Sequence, residues 1–322
     1  MNDNKLAPIA VFGYNRLDKL QMCIESLAKN TLSKDSELYL FIDGYKENRD
    51  SAKVKEVHEW AERLGRHDDS EGLSSRFRMV HVSIKDNNVG LANSIISGVT
   101  DLMNGYSEVI VVEDDLITSQ TFLEYMNAGL KFYRDDPSVW SVAAYGYKLK
   151  SLKKYDHDVY ASYRSSSWGW ASWKDRWEKV DWSVSDYEVL CNSKSLQKQL
   201  CLGGGDLYPM LQRQMRGESD SWAVRWAYAA AMYGMVTIYP KVGLVCNSGF
   251  DGSGTHSGIR KTKDYTFSGN SKVNFEHVKI DERIAKEFYL LHTDTIWKKV
   301  KRNTSPIKMV KLLKKWLFHI VE

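Results

Sequence analysis

Cysteine is scarce in this chain, with four in 322 residues. Cys23, Cys191, Cys201 and Cys246 form no close-spaced metal or redox motif, so reduced thiols in a cytoplasm are the expectation. Long apolar runs are missing as well: none approaches the roughly 20 residues of a membrane span. The opening Met-Asn-Asp-Asn-Lys-Leu-Ala-Pro lacks the apolar stretch of a secretory signal and leads straight into a strand pattern. Glycine is sparse where nucleotide fingerprints need it. The first polar loop, Gly13-Tyr14-Asn15-Arg16, has one glycine where the dinucleotide motif has three, and no Walker lysine motif occurs. Basic charge is concentrated in one place: residues 297–322 hold eight Lys/Arg against one acid, while the whole chain nets +4. The remainder is slightly acidic, which argues against a nucleic-acid-binding surface.

Aromatics, by contrast, are abundant, with 11 tryptophans and 18 tyrosines, and the length suffices for one large core or a domain with an annex. Through residue 145, apolar strand patterns (9–12, 38–42, 78–82, 109–112, 139–144) alternate with helical ones (17–29, 51–64, 91–103, 118–133). This alternation predicts an α/β fold with a mostly parallel central sheet flanked by helices. Beyond it come an aromatic-dense segment, helices at 207–216 and 221–232, and a strand at 235–239. No internal repeat is present.

Residues 109–115 read Val-Ile-Val-Val-Glu-Asp-Asp, an apolar strand ending in Glu113, Asp114 and Asp115. Carboxylates at the edge of a core are costly without a positive partner. A divalent cation holding a diphosphate would meet that need, since Mg²⁺ and Mn²⁺ take one or two carboxylates and fill their shell from phosphate and water. The plainer reading is a solvated acidic turn that caps a helix beginning near Thr118. Ligands of such sheets sit beyond the carboxyl ends of the strands. Gly13-Tyr14-Asn15-Arg16, Asp43-Gly44-Tyr45 and the acidic run all fall at such ends.

Further along stand Ser167-Trp168-Gly169-Trp170, Ser219-Asp220-Ser221, and a glycine-rich loop from Asn247 that contains Gly254-Thr255-His256. With these motifs in this order, residues 7–260 resemble nucleotide-sugar glycosyltransferases of the A-type fold. Within that fold the chain looks most like a bacterial group sharing the Trp-Gly-Trp and Gly-Thr-His segments. It is more distantly similar to N-acetylglucosaminyltransferase I, which has a comparable Glu-Asp-Asp.

The resemblance implies that Asp115 binds the metal, Mn²⁺ or Mg²⁺, with Glu113 and Asp114 facing ribose, sugar or metal-bound water. It implies that Asp43 reads the nucleobase, although an ordinary turn explains Asp43-Gly44 equally. Arg16 would touch phosphate or base with its fork of donors, or else form a surface salt bridge. Asn88, in Asn87-Asn88-Val89-Gly90, falls in a donor-contacting segment where a helix opens and backbone N–H groups can meet anions. Trp168 or Trp170 would pack on the acceptor sugar, with Trp173 and Trp177 in the core. The acid that follows the aromatic motif in some sugar transferases is replaced here by Ala171-Ser172. The base is therefore expected at Asp220, with Glu218 in reserve; a helix N-cap is the competing role for Asp220. His256 would join the metal or a phosphate.

From Ile307, helical spacing gathers Met309, Val310, Leu313, Trp316 and Leu317 on one face with lysines opposite. A basic amphipathic helix of this kind fits a membrane surface, or a helix docked on its own domain. The expected organisation is a nucleotide-sugar-binding half (1–145), an acceptor-binding and catalytic half of the same domain (146–275) and a helical extension (276–322). The expected activity is metal-dependent, inverting transfer of a hexosyl or N-acetylhexosaminyl group from a nucleoside-diphosphate sugar, UDP-linked, to a glycan or lipid-linked acceptor. Bacterial surface polysaccharide synthesis, in the cytoplasm or at the inner face of its membrane, is the matching setting. A nucleotidylyltransferase of the same fold and a catalytically silent carbohydrate-binding or scaffold protein remain as alternatives.

Overall fold

The computed structural model describes residues 5–46, 50–249, 267 and 272–293. In the first half the elements are β1 (Ile9–Gly13), α1 (Leu17–Ala28), β2 (Glu37–Ile42), α2 (Ser51–Gly65), β3 (Met79–Ile84), α3 (Leu91–Gly105) and β4 (Glu108–Glu113). There follow β5 (Leu116–Thr118), α4 (Phe122–Tyr133), β6 (Val139–Ala143), β7 (Val159–Ser162), β8 (Trp170–Trp173) and α5 (Lys174–Trp177). The remainder is α6 (Tyr187–Asn192), α7 (Lys194–Leu200), α8 (Leu207–Met215), α9 (Trp222–Met232), β9 (Val236–Pro240), β10 (Val245–Asn247) and α10 (Glu282–Leu291).

Eight strands form one sheet in the order β3-β2-β1-β4-β8-β6-β9-β7. β1, β2, β3 and β4 are mutually parallel, and β6 pairs parallel with β9; β8 and β7 run the other way. The α/β, mostly parallel architecture expected from the alternation is therefore present. Helices cover both faces, which is why β1, β4 and β6 are dominated by apolar residues and buried almost throughout. On one face, Leu20, Ile24 and Leu27 of α1, Trp60 and Leu64 of α2 and Phe122 and Met126 of α4 pack on Val11, Leu40 and Val112. Fully burying each such side chain is worth about 1.5–3 kcal/mol.

The opposite face belongs to α3 and α9, and it is built from tryptophan. Trp170 sits with Trp222 at 5.4 Å, Trp226 at 5.3 Å and Trp177 at 5.9 Å between ring centroids. Trp140 joins through Trp226 at 4.3 Å. Residues 170, 173 and 177 fall at helical spacing, yet they do not form one helix. Instead 170–173 is a strand inserted antiparallel between β4 and β6, followed by the single turn of α5. Strand alternation then sends Trp170 to one face of the sheet and Trp173 to the other. Both are buried, as is Trp177. The expectation that Trp170 meets an acceptor sugar is thus corrected: its ring has 0% exposure and is enclosed by other indoles.

The second difference follows the acidic run. No helix begins near Thr118; the chain makes the short strand β5, paired antiparallel with β10, and α4 starts only at Phe122. The Thr118 hydroxyl is held inside by Ser26 at 3.2 Å and Asn30 at 3.1 Å. The acids therefore cap no helix. The C-terminal stretch 307–321, expected to be amphipathic, lies outside the described residues.

Because Trp170 is the hub of this aromatic layer, Trp170→Ala should destabilise the fold by about 3–5 kcal/mol. Urea unfolding should show a lower midpoint at unchanged slope. A midpoint within error of the parent would return Trp170 to the surface.

Candidate functional site

The parallel strands β2, β1 and β4 lie side by side, so their carboxyl ends open onto a common edge at a spacing of about 5 Å per strand. At the end of β4, Glu113 is in register with Phe12 of β1. Asp114 is buried at 7% exposure, and the loop after β1 brings Arg16 across to it. Arg16 Nε donates to Asp114 Oδ2 at 3.2 Å, one terminal nitrogen donates to Asp114 Oδ1, and the other reaches Asp115 Oδ2 at 3.2 Å. The positive partner that the sequence demanded for the acids is thus, in the first instance, a side chain of the same protein. The alternative of an exposed surface salt bridge does not describe it.

Burial pushes the Glu113 carboxyl well above its ordinary range, with repulsion from Asp115 and Asp114 added and Arg16 opposing. Asp114 is pushed up to about 6, because desolvation outweighs the attraction of Arg16. Burial draws the Arg16 guanidinium down, yet Asp114 and Asp115 together hold it above its usual value. Behind them the fully buried Cys23 thiol is pushed up by desolvation and by both aspartates. That suppresses thiolate chemistry there. No hydrogen bond or ion pair reaches the Glu113 carboxylate among the described residues.

A third segment completes this corner. β10 aligns on β5, carrying Asn247, Ser248 and Gly249 onto Asp115. Asn247 Nδ2 donates to Asp115 Oδ1 at 3.2 Å, and the Ser248 amide donates to the Asp115 carbonyl at 2.7 Å. A Cβ on Gly249 would lie 2.4 Å from Asp115 Oδ2, so a larger residue there would displace the Asp115 carboxylate. These three residues escaped the sequence reading; an Asn-Ser-Gly directly after an apolar strand pattern was their signal.

Asp43, at the end of β2, holds the neighbouring loop. Its Oδ1 accepts from the amides of Val89 at 2.9 Å and Gly44 at 3.0 Å, and Oδ2 accepts from Gly90 at 3.1 Å. Both oxygens of this buried carboxylate are engaged, so Asp43 is a brace for the loop ahead of α3, the plainer of the two roles its position allowed. It also answers the expected anion site: the N–H groups of Val89 and Gly90 already have their anion, and it is internal. Gly44 is forced by crowding, since a Cβ would come within 2.4 Å of the Asn87 amide nitrogen and the Lys85 carbonyl. Asn88 joins the brace, its amide donating to the Tyr45 carbonyl at 3.0 Å.

Asp220 arrives at the rim from the other half of the chain. A Cβ on Gly90 would stand 3.6 Å from Asp220 Oδ2, which sets this carboxylate beside the Asp43-braced loop. Its competing role as an N-cap is taken by its neighbour: Ser221 accepts from the Val224 amide at 3.3 Å. Asp220 is 57% exposed in its side chain and is steadied by Arg225 at 3.2 Å. Glu218, the reserve base, folds back on Arg216 at 2.6 Å on the surface, a local pair that draws its carboxyl below the ordinary range. Nothing brings it to the acids.

Trp168 is half-buried and meets Tyr145 edge-on at 4.8 Å beyond the ends of β6 and β8. Gly169 serves packing, against Val245 and Ala144, at a φ of +62°. His256 lies outside the described residues. Among those residues no group of three or more His, Cys, Asp or Glu is arranged to hold a metal by itself. Asp114 and Asp115 are hard oxygen donors, which fits a Mg²⁺ or Mn²⁺ ion that completes its shell with phosphate and water.

No protein-family model matches the chain, and no curated protein matches it by sequence. Among solved structures it is similar to S. aureus TarS 1–349, with 11% identity and a TM-score of 0.41, covering 76% of this chain and 61% of that one. It is also similar to a cytidylyltransferase from Leptospira borgpetersenii serovar Hardjo-bovis (strain JB197), at 10% identity and a TM-score of 0.30. That likeness covers 54% of this chain and 62% of the other. The chain spans about three fifths of the length of either neighbour. At these scores the likenesses carry nothing about chemistry.

Removing the brace has a local readout. Asp43→Ala leaves three amides without their charged acceptor, a loss of about 1.5–3 kcal/mol per such bond. Hydrogen exchange at Val89 and Gly90 should then accelerate by about ten- to a hundred-fold. Unchanged protection at both amides would show that the loop does not depend on Asp43.

Proposed function

We propose that this chain is a metal-dependent, inverting glycosyltransferase of the A-type nucleotide-sugar fold. It would move a hexosyl or N-acetylhexosaminyl group from a UDP-linked donor to a glycan or lipid-linked acceptor in bacterial surface polysaccharide synthesis. The observation that carries this reading is the common edge of β2, β1 and β4, where Arg16, Asp114 and Asp115 meet and Asp220 stands at the rim.

Each residue has a task that its surroundings permit. Asp115, with Asp114 beside it, would hold a Mn²⁺ or Mg²⁺ ion, which when bound supplies Lewis-acid stabilisation of the departing nucleoside diphosphate. Arg16 would present its planar fork of donors to the phosphate oxygens. Glu113 would face the ribose or sugar hydroxyls. Trp168, with Tyr145 against it, would offer an apolar ring face to the acceptor. Asp220 would take the proton from the acceptor hydroxyl at a carboxylate oxygen, since Ser221 relieves it of capping and Arg225 fixes its direction. His256 would join the metal or a phosphate.

Two substitutions separate binding from chemistry. Asp115→Ala should abolish Mn²⁺-dependent UDP binding in calorimetry without unfolding the protein. Asp220→Asn should keep donor affinity yet lose transfer by about 10²–10⁴, the usual worth of a positioned base. Unchanged UDP-plus-Mn²⁺ affinity in the first variant would remove the metal assignment, and near-parental turnover in the second would remove the base.

The basic C-terminal stretch would bring the enzyme to anionic lipid. No helix among the described residues is long and apolar enough to cross a membrane. Deleting 303–322 should abolish flotation with anionic vesicles while transfer to water-soluble acceptors persists. Binding by the full chain should weaken with salt, since charges are screened beyond about 8 Å at physiological ionic strength. Equal flotation of both proteins would return the stretch to the protein's own surface.

A further inference from the structure

Among the described residues, Arg16 is the only cation paired with Asp114 or Asp115. It occupies the oxygens that a metal would need. Both oxygens of Asp114 and Oδ2 of Asp115 accept from its guanidinium, while Oδ1 of Asp115 is taken by Asn247. A divalent cation approaching Asp114 or Asp115 therefore meets a guanidinium charge already seated on the same oxygens.

The backbone of Arg16 is fixed, because its carbonyl accepts from the Leu20 amide at 3.0 Å in the first turn of α1. Among the described residues the side chain itself is anchored only by the two aspartates, and it is 23% exposed. It can therefore swing about a fixed Cα, but only if another anion receives it, because a guanidinium in this half-buried corner is costly unpaired. A diphosphate supplies that anion with matching planar geometry.

Resting on the function proposed above, we infer that Arg16 is an internal counter-ion that competes with the divalent cation for Asp114 and Asp115. It hands over to the diphosphate when both arrive, so that cation and nucleotide bind as a coupled pair. Arg16 is then the residue that sets the linkage between the two ligands, in addition to contacting one of them.

The test reads binding and needs no acceptor. Mn²⁺ affinity is measured by calorimetry, and by the loss of the free Mn²⁺ electron-spin signal, with and without UDP, for the parent, Arg16→Gln and Arg16→Lys. In Arg16→Gln, Mn²⁺ should bind roughly tenfold more tightly without UDP. UDP should bind roughly tenfold more weakly at saturating Mn²⁺, collapsing a linkage of the 5–150-fold size usual for coupled sites. Arg16→Lys, which keeps the charge but loses the fork, should hold Mn²⁺ affinity near that of the parent without UDP and still lose much of the linkage.

Simple removal of a nearby positive charge would tighten Mn²⁺ by the same factor with and without UDP and leave the linkage intact. That result, unchanged Mn²⁺ affinity in Arg16→Gln, or a lysine variant that matches the glutamine one in both measurements overturns the inference. If the parent binds no Mn²⁺ even with UDP, the proposed function itself fails. If the parent binds the two together and Arg16→Gln keeps the full linkage, only the role of Arg16 fails.

Discussion

Three carboxylates at the end of a buried strand are the constraint around which this molecule is arranged. β4 is apolar because both faces of the sheet are covered, and the same burial makes Glu113 and Asp114 hard to ionise. The fold answers with one guanidinium, brought across from the adjacent strand end by the parallel pairing of β1 with β4. Among the described residues Arg16 alone offers these acids a positive charge and no polar side chain reaches the Glu113 carboxylate, so burial and mutual repulsion hold Glu113 and Asp114 above the ordinary carboxylate range. The short strand β5, in place of a helix, is part of the same arrangement, since it lets β10 lay Asn247, Ser248 and Gly249 against Asp115.

The end of β2, one strand further along the same edge, solves a related problem in the opposite way. Backbone N–H groups ahead of α3 need an acceptor, and Asp43 fills that need completely from within. A carboxylate satisfied by three amides is a fixed part of the scaffold, with little left for a ligand. Two aspartates at the same edge of the sheet, on strands separated by β1, thus have different fates, decided by what surrounds them: donors for Asp43, mostly other acids for Asp114. The Asp43 brace in turn fixes the loop against which Asp220 rests.

Much of this was legible in the sequence, and the reasons for the rest are specific. The strand–helix alternation gave the parallel half of the sheet because continuous apolar runs and 3.6-residue periodicity are local signals. β8 was missed because Trp170, Trp173 and Trp177 satisfy helical spacing as well as they satisfy a strand followed by a turn. Only pairing with β4 and β6, which is non-local, decides between the two. The same lack of distance information hid the Arg16–Asp114 bond, whose partners are 98 residues apart, and the Asp43–Gly90 bond across 47. Along the chain Asp220 is the preferred base, with Glu218 in reserve and an N-cap as the competing role. Capping by Ser221 and the local Arg216 pair separate them, and both are matters of side-chain direction that residue order does not carry.

The tryptophan layer explains why the rim can be placed with accuracy so far from the acids in sequence. Asp220 precedes α9 by two residues, and α9 is pinned to the sheet by Trp222 and Trp226 against Trp170 and Trp140. Trp170 belongs to β8, the strand hydrogen-bonded directly to β4. The strand that ends in the acids and the helix that begins at the candidate base are therefore joined through one rigid aromatic contact. Flat indoles with few rotamers suit that task better than flexible aliphatic chains, because they transmit position with little loss of order. The separation of Asp220 from the acid run therefore follows from how Trp222 stacks on Trp170.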